Sequence, residues 1–385
     1  MKILQIIPHY VPAFRFGGPL NVAHSLGKAL LAQGHDVHVV TTNAKDETNN
    51  LGVPVDQPCS VDGITVFYQD VNFFRKWGGS TTLVTRLRGE IQWADQVLVH
   101  SHFQFSNWIG ARMCRRMRKP YVVFPHCSLR KISLMGSNFI AKLIYLYCLE
   151  YLNFKNARFV AFNAEEEMED SLFAEKGKIV PNGIDPILFN GSDSLKGKFR
   201  AQNPQFIGKV IFLFLGRIDK KQKAVDKIVN AFNIVSQRNP AAVLILAGPS
   251  EGNDAKEIAK QIVTLGLADK VFMLGLVTGN LKLSLLKDAD IFLLTSNYEG
   301  LSVALLEAMY SGLPVVVSNR VGLHKKIDRY QCGIVVDPKV ESIAEGMQSM
   351  LLQLHRSQMN ANAHALVSRE HIWEAISQDL INQLS

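Results

Sequence analysis

The 385-residue sequence has few cysteines and no cluster of residues typical of a metal site. Its five cysteines are scattered, with no CxxC pair and no Cys/His spacing typical of zinc. This excludes a disulfide-stapled fold and a structural zinc site, and it indicates a reducing compartment. No uncharged apolar run approaches the roughly 18 residues that a membrane-spanning helix needs. The apolar start, MKILQIIPHY, is too short for a signal peptide and lacks a small-residue cleavage site, so we expect a cytoplasmic protein.

Motifs of several enzyme classes are also missing. Neither half has G-x-G-x-x-G after its first strand-like run, and no GxxxxGK[ST] loop is present. This removes the best support for a nicotinamide or flavin enzyme and for a P-loop NTPase. The composition, 47% hydrophobic and 20% charged, is that of a globular protein, and the length favours two domains.

Positive charge is concentrated in one segment. The net charge is +8, and residues 71–163 contain 14 lysines and arginines against three acidic residues. The segment therefore carries +11, and the other residues together carry −3. Such asymmetry indicates an anionic partner, which can be a nucleic acid, an anionic membrane surface or a phosphorylated substrate.

Both halves of the sequence alternate strand-like apolar runs with helical segments. The runs of the first half are Lys2–Ile7, Asp36–Thr42, Gly63–Tyr68, Gln96–His100, Tyr121–Pro125 and Arg158–Phe162. After a turn-rich connection, runs recur at Val210–Leu215, Val243–Ala247, Val271–Leu274, Ile291–Thr295, Pro314–Ser318 and Gly333–Val336. Strands that alternate with helices predict parallel sheets covered by helices.

The predicted architecture is α/β, with two Rossmann-like, doubly wound domains that face each other across a ligand cleft. The first of these domains is expected to comprise residues 1–185 and the second residues 186–368. A single amphipathic helix from Arg369 to Leu384, within a terminal segment 369–385, is expected to pack back towards the first domain.

The strongest chemical signal follows the run Ile291–Thr295. A helix is expected to start near Ser302, which is a good N-cap residue, so free backbone N–H groups would point into the crevice beyond the strand ends. Open α/β sheets bind ligands there, and a helix start favours phosphate. The N–H groups concerned are those of Gly300, Leu301, Ser302 and Val303.

Two carboxylates accompany this helix start. Glu299 precedes it, and Glu307 lies inside the helix between apolar neighbours. A carboxylate in such a stretch needs hydrogen-bond donors to offset its desolvation, and a ribose diol supplies two. The alternative for Glu307 is a solvated helix charge paired with a lysine. A capping box is excluded, because its third position is Leu305.

A basic cluster follows the first strand-like run of the second half. Arg217 and Lys223 lie in the sequence GRIDKKQK, at the carboxyl end of Val210–Leu215. Cations at this position can neutralise a diphosphate and stabilise it as a leaving group. The alternative, a basic surface turn, fits Lys220 and Lys221 better than Arg217.

These motifs together resemble one known family. Glu299 and Glu307 form an E-x7-E pair, and the other motifs are Gly216-Arg217…Lys223, Val180-Pro181-Asn182-Gly183-Ile184-Asp185 and Gly312-Leu313-Pro314-Val315. They resemble, in their order, the retaining glycosyltransferases of family 4 (GT4), which have the GT-B fold. The resemblance covers nearly the whole chain.

The resemblance implies a role for each matching residue of the second domain. Glu299 would contact the donor sugar, and Glu307 would hold the ribose of the nucleotide. Arg217 and Lys223 would bind the diphosphate. The usual Lys-Gly of the family is Lys223-Ala224 here, a departure expected to shift the loop slightly and to leave the charge.

The resemblance also implies that residues 1–185 bind the acceptor and that residues 186–368 bind the nucleotide-sugar donor, with further donor contacts in the first domain. Gly17 and Gly18 would let the backbone approach the donor phosphates, because they have no Cβ. Family members usually place a donor-contacting histidine after the strand that ends at His100 here, which favours His102 over His126. We therefore expect His102 and Glu299 to be the catalytic residues and His126 to be a further candidate contact. The alternative for either histidine is an ordinary loop residue.

The implied reaction is retaining transfer of a sugar from a nucleotide-diphosphate sugar, of UDP or GDP type, to a glycan or lipid-linked acceptor. The resemblance implies no catalytic metal and no other cofactor. We expect a role in bacterial surface polysaccharide biosynthesis, with a polyprenyl-diphosphate-linked glycan as acceptor.

The basic segment 71–163 has two interpretations. Part of its charge ends a helix before Pro120, where cations favour the helix dipole. The apolar run Phe139–Phe154 is either a helix core between the domains or an interfacial element that rests on an anionic leaflet. We predict peripheral binding to the inner face of a bacterial cytoplasmic membrane.

Two other functions remain open at this point. A nucleotide-sugar 2-epimerase has the same architecture but needs no acceptor, and a non-catalytic nucleotide-sugar-binding protein needs no turnover. A nucleic-acid partner is disfavoured, because the basic segment has no nucleic-acid-binding motif and its aromatic residues lie in apolar runs.

Overall fold

The computed structural model describes residues 1–135, 139–250, 252–353 and 356–384. The chain divides into two compact units. The first comprises residues 1–182 together with the C-terminal helix Trp373–Leu384, and the second comprises residues 183–372. These boundaries lie within a few residues of the predicted ones at 185/186 and 368/369.

The first domain contains a mixed sheet. Its strands are β1 (Lys2–His9), β2 (Asp36–Thr42), β3 (Pro58–Val61), β4 (Ile64–Gln69), β5 (Gln96–His100), β6 (Tyr121–Phe124), β7 (Val160–Phe162) and β8 (Gly177–Ile179). Their order in the sheet is β3-β4-β2-β1-β5-β6-β7-β8, and only β3 runs antiparallel to its neighbour among these strands. The central strands are buried on both faces, which explains their nearly continuous apolar sequences.

Helices cover this sheet. They are α1 (Gly18–Ala32), α2 (Thr81–Trp93), α3 (Phe105–Arg116), α4 (Lys131–Leu134), α5 (Phe139–Tyr145), α6 (Tyr151–Asn156) and α7 (Glu165–Glu169), with a π-helical turn at Leu146–Glu150 between α5 and α6. In α1, apolar side chains recur at helical spacing and are buried, including Leu20, Ala23, Leu26 and Leu30. The predicted first helix is therefore present.

The second domain contains a parallel sheet. Its strands are β9 (Val210–Leu215), β10 (Ala242–Ala247), β11 (Val271–Gly275), β12 (Ile291–Leu294), β13 (Val315–Ser318) and β14 (Gly333–Val336), in the order β11-β10-β9-β12-β13-β14. The strand order reverses between β10 and β12, on either side of β9. A doubly wound sheet binds its ligand at such a switch point, beyond the carboxyl ends of the strands.

The helices of the second domain lie between and after these strands. They are α8 (Lys198–Gln202), α9 (Val225–Arg238), α10 (Asp254–Thr264), α11 (Gly279–Asp288), α12 (Val303–Tyr310), α13 (His324–Arg329), α14 (Val340–Leu352) and α15 (Arg356–Glu370). The connection before β9 contains short 3-10 turns, among them Pro186–Phe189 and Ser192–Leu195. Among the described residues, no helix is both long and apolar enough to cross a membrane.

The prediction of one helix from Arg369 to Leu384 was wrong. Helix α15 ends at Glu370, and a separate helix, α16 (Trp373–Leu384), follows. The break at His371 and Ile372 occurs because this segment pairs with Ile184: the Ile184 N–H donates to the His371 carbonyl at 2.9 Å, and Ile184 and Ile372 form a parallel bridge. The continuous apolar spacing concealed this pairing.

Helix α16 packs on the first domain. Its buried side chains include Trp373, Ile376 and Leu380, and it contacts α1. The Gln33 side chain donates to the Glu374 carbonyl and to the Ser377 hydroxyl, both at 2.8 Å. Helix α16 therefore contributes to the stability of the domain formed by the first 182 residues.

Replacement of Leu380 by alanine should lower the free energy of unfolding by about 2–5 kcal/mol, because Leu380 is fully buried and its loss leaves a cavity. Denaturant unfolding measures the change. The matched control is Gln378→Ala, an exposed position on the same helix, which should shift stability by less than about 0.5 kcal/mol. Equal effects of the two variants would contradict the packing of α16.

Candidate active site

Two loops of the second domain meet at the carboxyl edge of its sheet. Strands β9 and β12 are parallel neighbours, so the loops after Leu215 and Leu294 leave the sheet on the same side. The first loop carries Arg217 and Lys223, and the second carries Glu299. The structure brings these three predicted side chains together.

Lys223 and Glu299 form an ion pair between the two loops. Both side chains are largely buried, with 11% and 14% of their surfaces exposed. Gln222 extends the contact, because its Nε2 donates to Glu299 at 3.4 Å and its Oε1 accepts from Arg217 at 3.0 Å. Two cations, an amide and a carboxylate thus form one network where β9 and β12 end.

Asp219 shapes the first loop. Its Oδ1 accepts hydrogen bonds from the backbone N–H groups of Gln222 and Lys223, and its Oδ2 lies 3.7 Å from the Arg217 guanidinium. The fully buried Ala224 then adopts φ +53°. A left-handed alanine costs roughly 1–2 kcal/mol, which is why glycine suits this position. The Lys223-Ala224 departure leaves Lys223 in contact with Glu299.

Helix α12 begins immediately after the second loop. Ser302 occupies its N-cap position, but the Ser302 side chain makes no capping hydrogen bond, contrary to the prediction of a good side-chain cap. The backbone fixes this loop instead: the Gly322 N–H donates to the carbonyls of Glu299 and Gly300, at 3.2 and 3.0 Å. The N–H groups of the first turn, which starts at Val303, are therefore not satisfied by the Ser302 hydroxyl.

Glu307 is buried in α12 and paired with a lysine. Its side chain is 12% exposed, and its Oε1 accepts from the Lys282 ammonium at 2.6 Å. The protein itself thus supplies a donor that offsets desolvation, so burial alone is not an argument for a ribose ligand. From the sequence, a lysine partner was expected only if Glu307 were solvated. The structure shows a buried Glu307 that is paired with Lys282.

Gly17 lies between β1 and α1, and Gly18 is the first residue of α1. Gly17 has φ +84°, which favours glycine, and it precedes the first residue of the helix. A Cβ atom at either position would meet no heavy atom within 4 Å. The backbone is therefore open to a ligand at this loop, at the carboxyl end of β1.

His102 lies in a strained loop after β5. The residues on both sides of it, Ser101 and Phe103, have φ of +73° and +66°. Its ring is 5% exposed and packs against Phe103 and Phe154. Burial lowers the pKa of His102 to about 3, against an opposing backbone contact with Ser128. His102 is therefore a neutral imidazole near pH 7.

His126 lies after β6, the next strand in the sheet. Its Nε2 is 3.2 Å from Nδ1 of His100, and burial lowers its pKa to about 4. His126 and Cys127 both have positive φ. The buried Glu167 accepts the Cys127 N–H at 2.7 Å and the Asn163 N–H at 2.9 Å. One carboxylate thus holds the loops after β6 and β7.

Glu150 ends the π-helical turn and is 3% exposed. It accepts a hydrogen bond from Asn153 at 3.2 Å. Burial raises its pKa to about 7, partly offset by Asn153 and by the backbone of Phe103. This carboxyl group therefore stands next to the strained loop that carries His102. π-helical turns often occur at functional sites.

Four residues that contribute to these contacts were not predicted from the sequence: Gln222, Lys282, Glu167 and Glu150. Gln222 stood inside the basic cluster, and its only signal was its place between Arg217 and Lys223. Lys282 and Glu167 belong to no motif, and their partners are distant in sequence. Glu150 was counted only as one of three acidic residues in a basic segment.

The chain matches two family models, one in each half. Residues 16–187 match Glycosyltransferase Family 4, and residues 196–365 match Glycosyl transferases group 1. The chain is 27% identical to an uncharacterized glycosyltransferase of Methanocaldococcus jannaschii, across 99% of this chain and 97% of that protein.

Two further similarities extend over most of the chain. One subunit of the human phosphatidylinositol N-acetylglucosaminyltransferase is 24% identical, with 94% of this chain and 72% of that protein covered. The crystal structure of HepE from Anabaena in complex with UDP-glucose has a TM-score of 0.78 at 19% identity and covers 100% and 99% of the two chains. The chain belongs to glycosyltransferase family 4 and has the GT-B fold.

Proposed function

We propose that the protein transfers a sugar from a nucleotide-diphosphate sugar to a hydroxyl of a glycan or lipid-linked acceptor, with retention of anomeric configuration. The observation that carries this proposal is the network of Arg217, Gln222, Lys223 and Glu299 at the switch point of the second sheet. The biological role proposed is bacterial surface polysaccharide biosynthesis.

The diphosphate of the donor is the ligand that suits this network. Arg217 and Lys223 provide two cations on one loop, and the start of α12 provides backbone N–H groups that favour an anion. Within the network Glu299 neutralises Lys223. A bound diphosphate competes for the same ammonium, which frees Glu299 to accept hydrogen bonds from the sugar hydroxyls.

Charge development during transfer explains why the cations matter. Cleavage of the bond between sugar and diphosphate leaves negative charge on the leaving group and an oxocarbenium-like sugar. Arg217 and Lys223 stabilise the leaving group, while the Glu299 carboxylate stays close to the sugar. This scheme needs no catalytic metal and no cofactor besides the donor.

Glu307 and Lys282 are proposed to act at the nucleoside. A ribose diol can donate to the Glu307 oxygens alongside the Lys282 ammonium, since a carboxylate accepts several hydrogen bonds. The donor is proposed to be of UDP or GDP type. The structural neighbour HepE in complex with UDP-glucose supports a uridine donor by likeness of fold alone.

The first domain is proposed to present the acceptor and to contact the donor. Gly17 and Gly18 are open to a ligand, and His102 and His126 follow adjacent strands. A neutral His102 can hydrogen-bond to a sugar hydroxyl without adding charge. The acceptor proposed is a polyprenyl-diphosphate-linked glycan. The human relative is a subunit of a phosphatidylinositol N-acetylglucosaminyltransferase, which supports a lipid-linked acceptor.

An exposed apolar patch supports binding to a membrane. We define it as Met135, Phe139, Ile140, Ile144, Tyr147, Leu149, Tyr151 and Leu152, all of which are exposed. Lys131 and Lys155 are exposed in the same segment. Apolar side chains flanked by cations suit an anionic bilayer surface, where each cation contributes about 1 kcal/mol.

Some cations of the basic segment 71–163 form hydrogen bonds within the first domain, so they stabilise the fold. The Arg115 guanidinium lies 3.4 Å from the Asn153 side-chain oxygen, and the Lys119 ammonium donates to the Ala94 carbonyl. The excess charge around the end of α3 is therefore partly structural. We propose that the protein is cytoplasmic and peripheral on the inner face of the membrane, with the apolar patch as its contact.

Lys223→Ala and Glu299→Gln should each lower kcat/KM by roughly 10²–10³-fold, because each removes a group that stabilises charge near the reacting bond. Release of nucleoside diphosphate from UDP- and GDP-sugars in the presence of acceptor measures the change. The control Lys221→Ala, on the same loop and exposed, should stay within about twofold of the wild type.

The same assay distinguishes the alternatives. Conversion of the nucleotide-sugar without acceptor would identify an epimerase. Unchanged turnover in Glu299→Gln would refute the catalytic assignment of this carboxylate. NMR of the first-formed product tests retention of configuration.

His102→Asn should lower kcat/KM by roughly 10- to 100-fold, because it removes a hydrogen bond to a sugar hydroxyl. The ratio of wild-type to variant activity should not change between about pH 8 and pH 5.5, since a pKa lowered to about 3 keeps the imidazole neutral across this range. Activity profiles of both proteins test this. A ratio that changes around pH 6.5 would mean that His102 titrates as an exposed imidazole does.

Ile140→Glu with Ile144→Glu should abolish flotation with anionic vesicles of phosphatidylglycerol at low salt, because these side chains are 71% and 59% exposed in the apolar patch. The wild type should float at low salt and less at high salt. The matched control is Val263→Glu, which replaces an exposed apolar residue of the second domain and should float normally. A wild type that stays with the soluble fraction at low salt would rule out the membrane contact.

A further inference from the structure

The second domain has a cavity at the end of α12 that lies away from the candidate active site. Its volume is about 430 Å³, within the roughly 300–1,000 Å³ of small-molecule sites. Helix α12 begins beside Glu299 and ends at Tyr310, which lines the cavity. The eight residues of this helix span about 12 Å, so the cavity is separate from the network around Lys223.

An aromatic stack forms one wall of this cavity. The Tyr310 ring stacks on His364 with centroids 4.7 Å apart and meets Phe189 edge-to-face at 4.9 Å. Phe189 is buried, whereas His364 is exposed. The stack is therefore anchored in the domain at one end and presents an aromatic surface to the cavity at the other.

Two lining side chains have buried polar atoms without a hydrogen-bond partner. These atoms are Oγ of Ser311 and Oδ1 of Asn360. Ser311 follows α12, and Asn360 lies one helical turn before His364 on α15. Unpaired buried polar atoms are uncommon, because each costs roughly 1–3 kcal/mol. These two atoms are closed to solvent, so a ligand with hydroxyl groups would pair with them only after a small rotation of the Ser311 and Asn360 side chains towards the cavity.

The charges of the cavity argue against an anionic ligand. Lys287 donates to Asp193 at 2.7 Å, and this contact lowers the pKa of Asp193. The ammonium of Lys287 is thus already neutralised, and the Asp193 carboxylate, which is 94% exposed, repels phosphate. An ammonium and a carboxylate side by side offer a donor and an acceptor to the hydroxyl pair of a sugar.

We infer that this cavity binds a neutral pyranose unit of a glycan. The aromatic stack contacts the apolar face of the sugar ring, and the Lys287–Asp193 pair bonds its hydroxyls. Ser311 and Asn360 add hydrogen bonds once their side chains rotate towards the sugar. The site lies apart from the network around Lys223, one helical turn beyond Glu307, and it does not depend on the function proposed above. The second domain would thus bind a glycan at a second site, away from the reacting bond.

Saturation-transfer-difference NMR tests this inference on the whole chain. The probes are the methyl α-pyranosides of glucose, mannose and galactose, with N-acetylglucosamine. At least one should show transfer, and binding should be at least about tenfold weaker in His364→Ala, which loses the outer aromatic ring. Ala361→Trp fills the cavity from an exposed lining position and should abolish binding.

Two controls separate this site from the rest of the molecule. Gln358→Ala, exposed on the same helix but not lining the cavity, should bind as the wild type does. Arg217→Ala should also bind normally, so failure of the donor-site assignment would leave this result intact. The inference is overturned if no probe binds, if Ala361→Trp does not reduce binding, or if uridine gives a stronger signal that Ala361→Trp removes.

Discussion

The ion pair of Lys223 and Glu299 joins the two loops on which the candidate active site depends. It is possible because β9 and β12 are parallel neighbours, so residues far apart in sequence leave the sheet at the same edge. Asp219 fixes the backbone on one side, and the Gly322 N–H fixes it on the other. The side chains therefore meet in a frame that exists without a ligand. A preorganised site of this kind loses little free energy to reorganisation during reaction.

In the first domain, the loops at the carboxyl edge of the sheet have strained backbone conformations. Its loops after β5 and β6 contain four non-glycine residues at positive φ, namely Ser101, Phe103, His126 and Cys127. Such conformations cost of order 1–3 kcal/mol each and persist only where the surroundings impose them. Here the buried carboxyl groups Glu150 and Glu167 hold these loops. The strain lies where the two candidate histidines are presented, which fits a functional site.

The sequence predicted the central strands well because they are buried on both faces and read as continuous apolar runs. Strand β3 was not predicted because Pro58–Val61 is an edge strand with alternate residues exposed. Strand β8 was not predicted because it is a short edge strand with none of its residues fully buried, whereas the equally short β7 is buried throughout. The helix break at His371 was invisible, since the apolar spacing continues through it and only the pairing with Ile184 interrupts the helix. The local sequence pattern is therefore enough to predict a strand that is buried on both faces. The position of the helix break depends on a contact between residues distant in sequence, which the local pattern does not show.

Some side chains of the candidate site could likewise be predicted from the sequence, and others could not. Arg217, Lys223, Glu299 and Glu307 could be found because they belong to spaced motifs. Lys282 and Gln222 could not, because their significance lies in a partner that only folding brings near. The cavity beside Tyr310 was equally hidden, since its walls come from the connection before β9, from α12 and from α15.

The left-handed Ala224 has a consequence for how Lys223 changes partner. An alanine in this conformation has less backbone freedom than the glycine that the motif usually has. The main chain below Lys223 is also tied to Asp219. In the proposed reaction, exchange of the ammonium between carboxylate and diphosphate would therefore proceed by rotation about side-chain bonds. The loop backbone would keep its conformation when the donor is captured, so the two states of the site would differ only in side-chain rotamers.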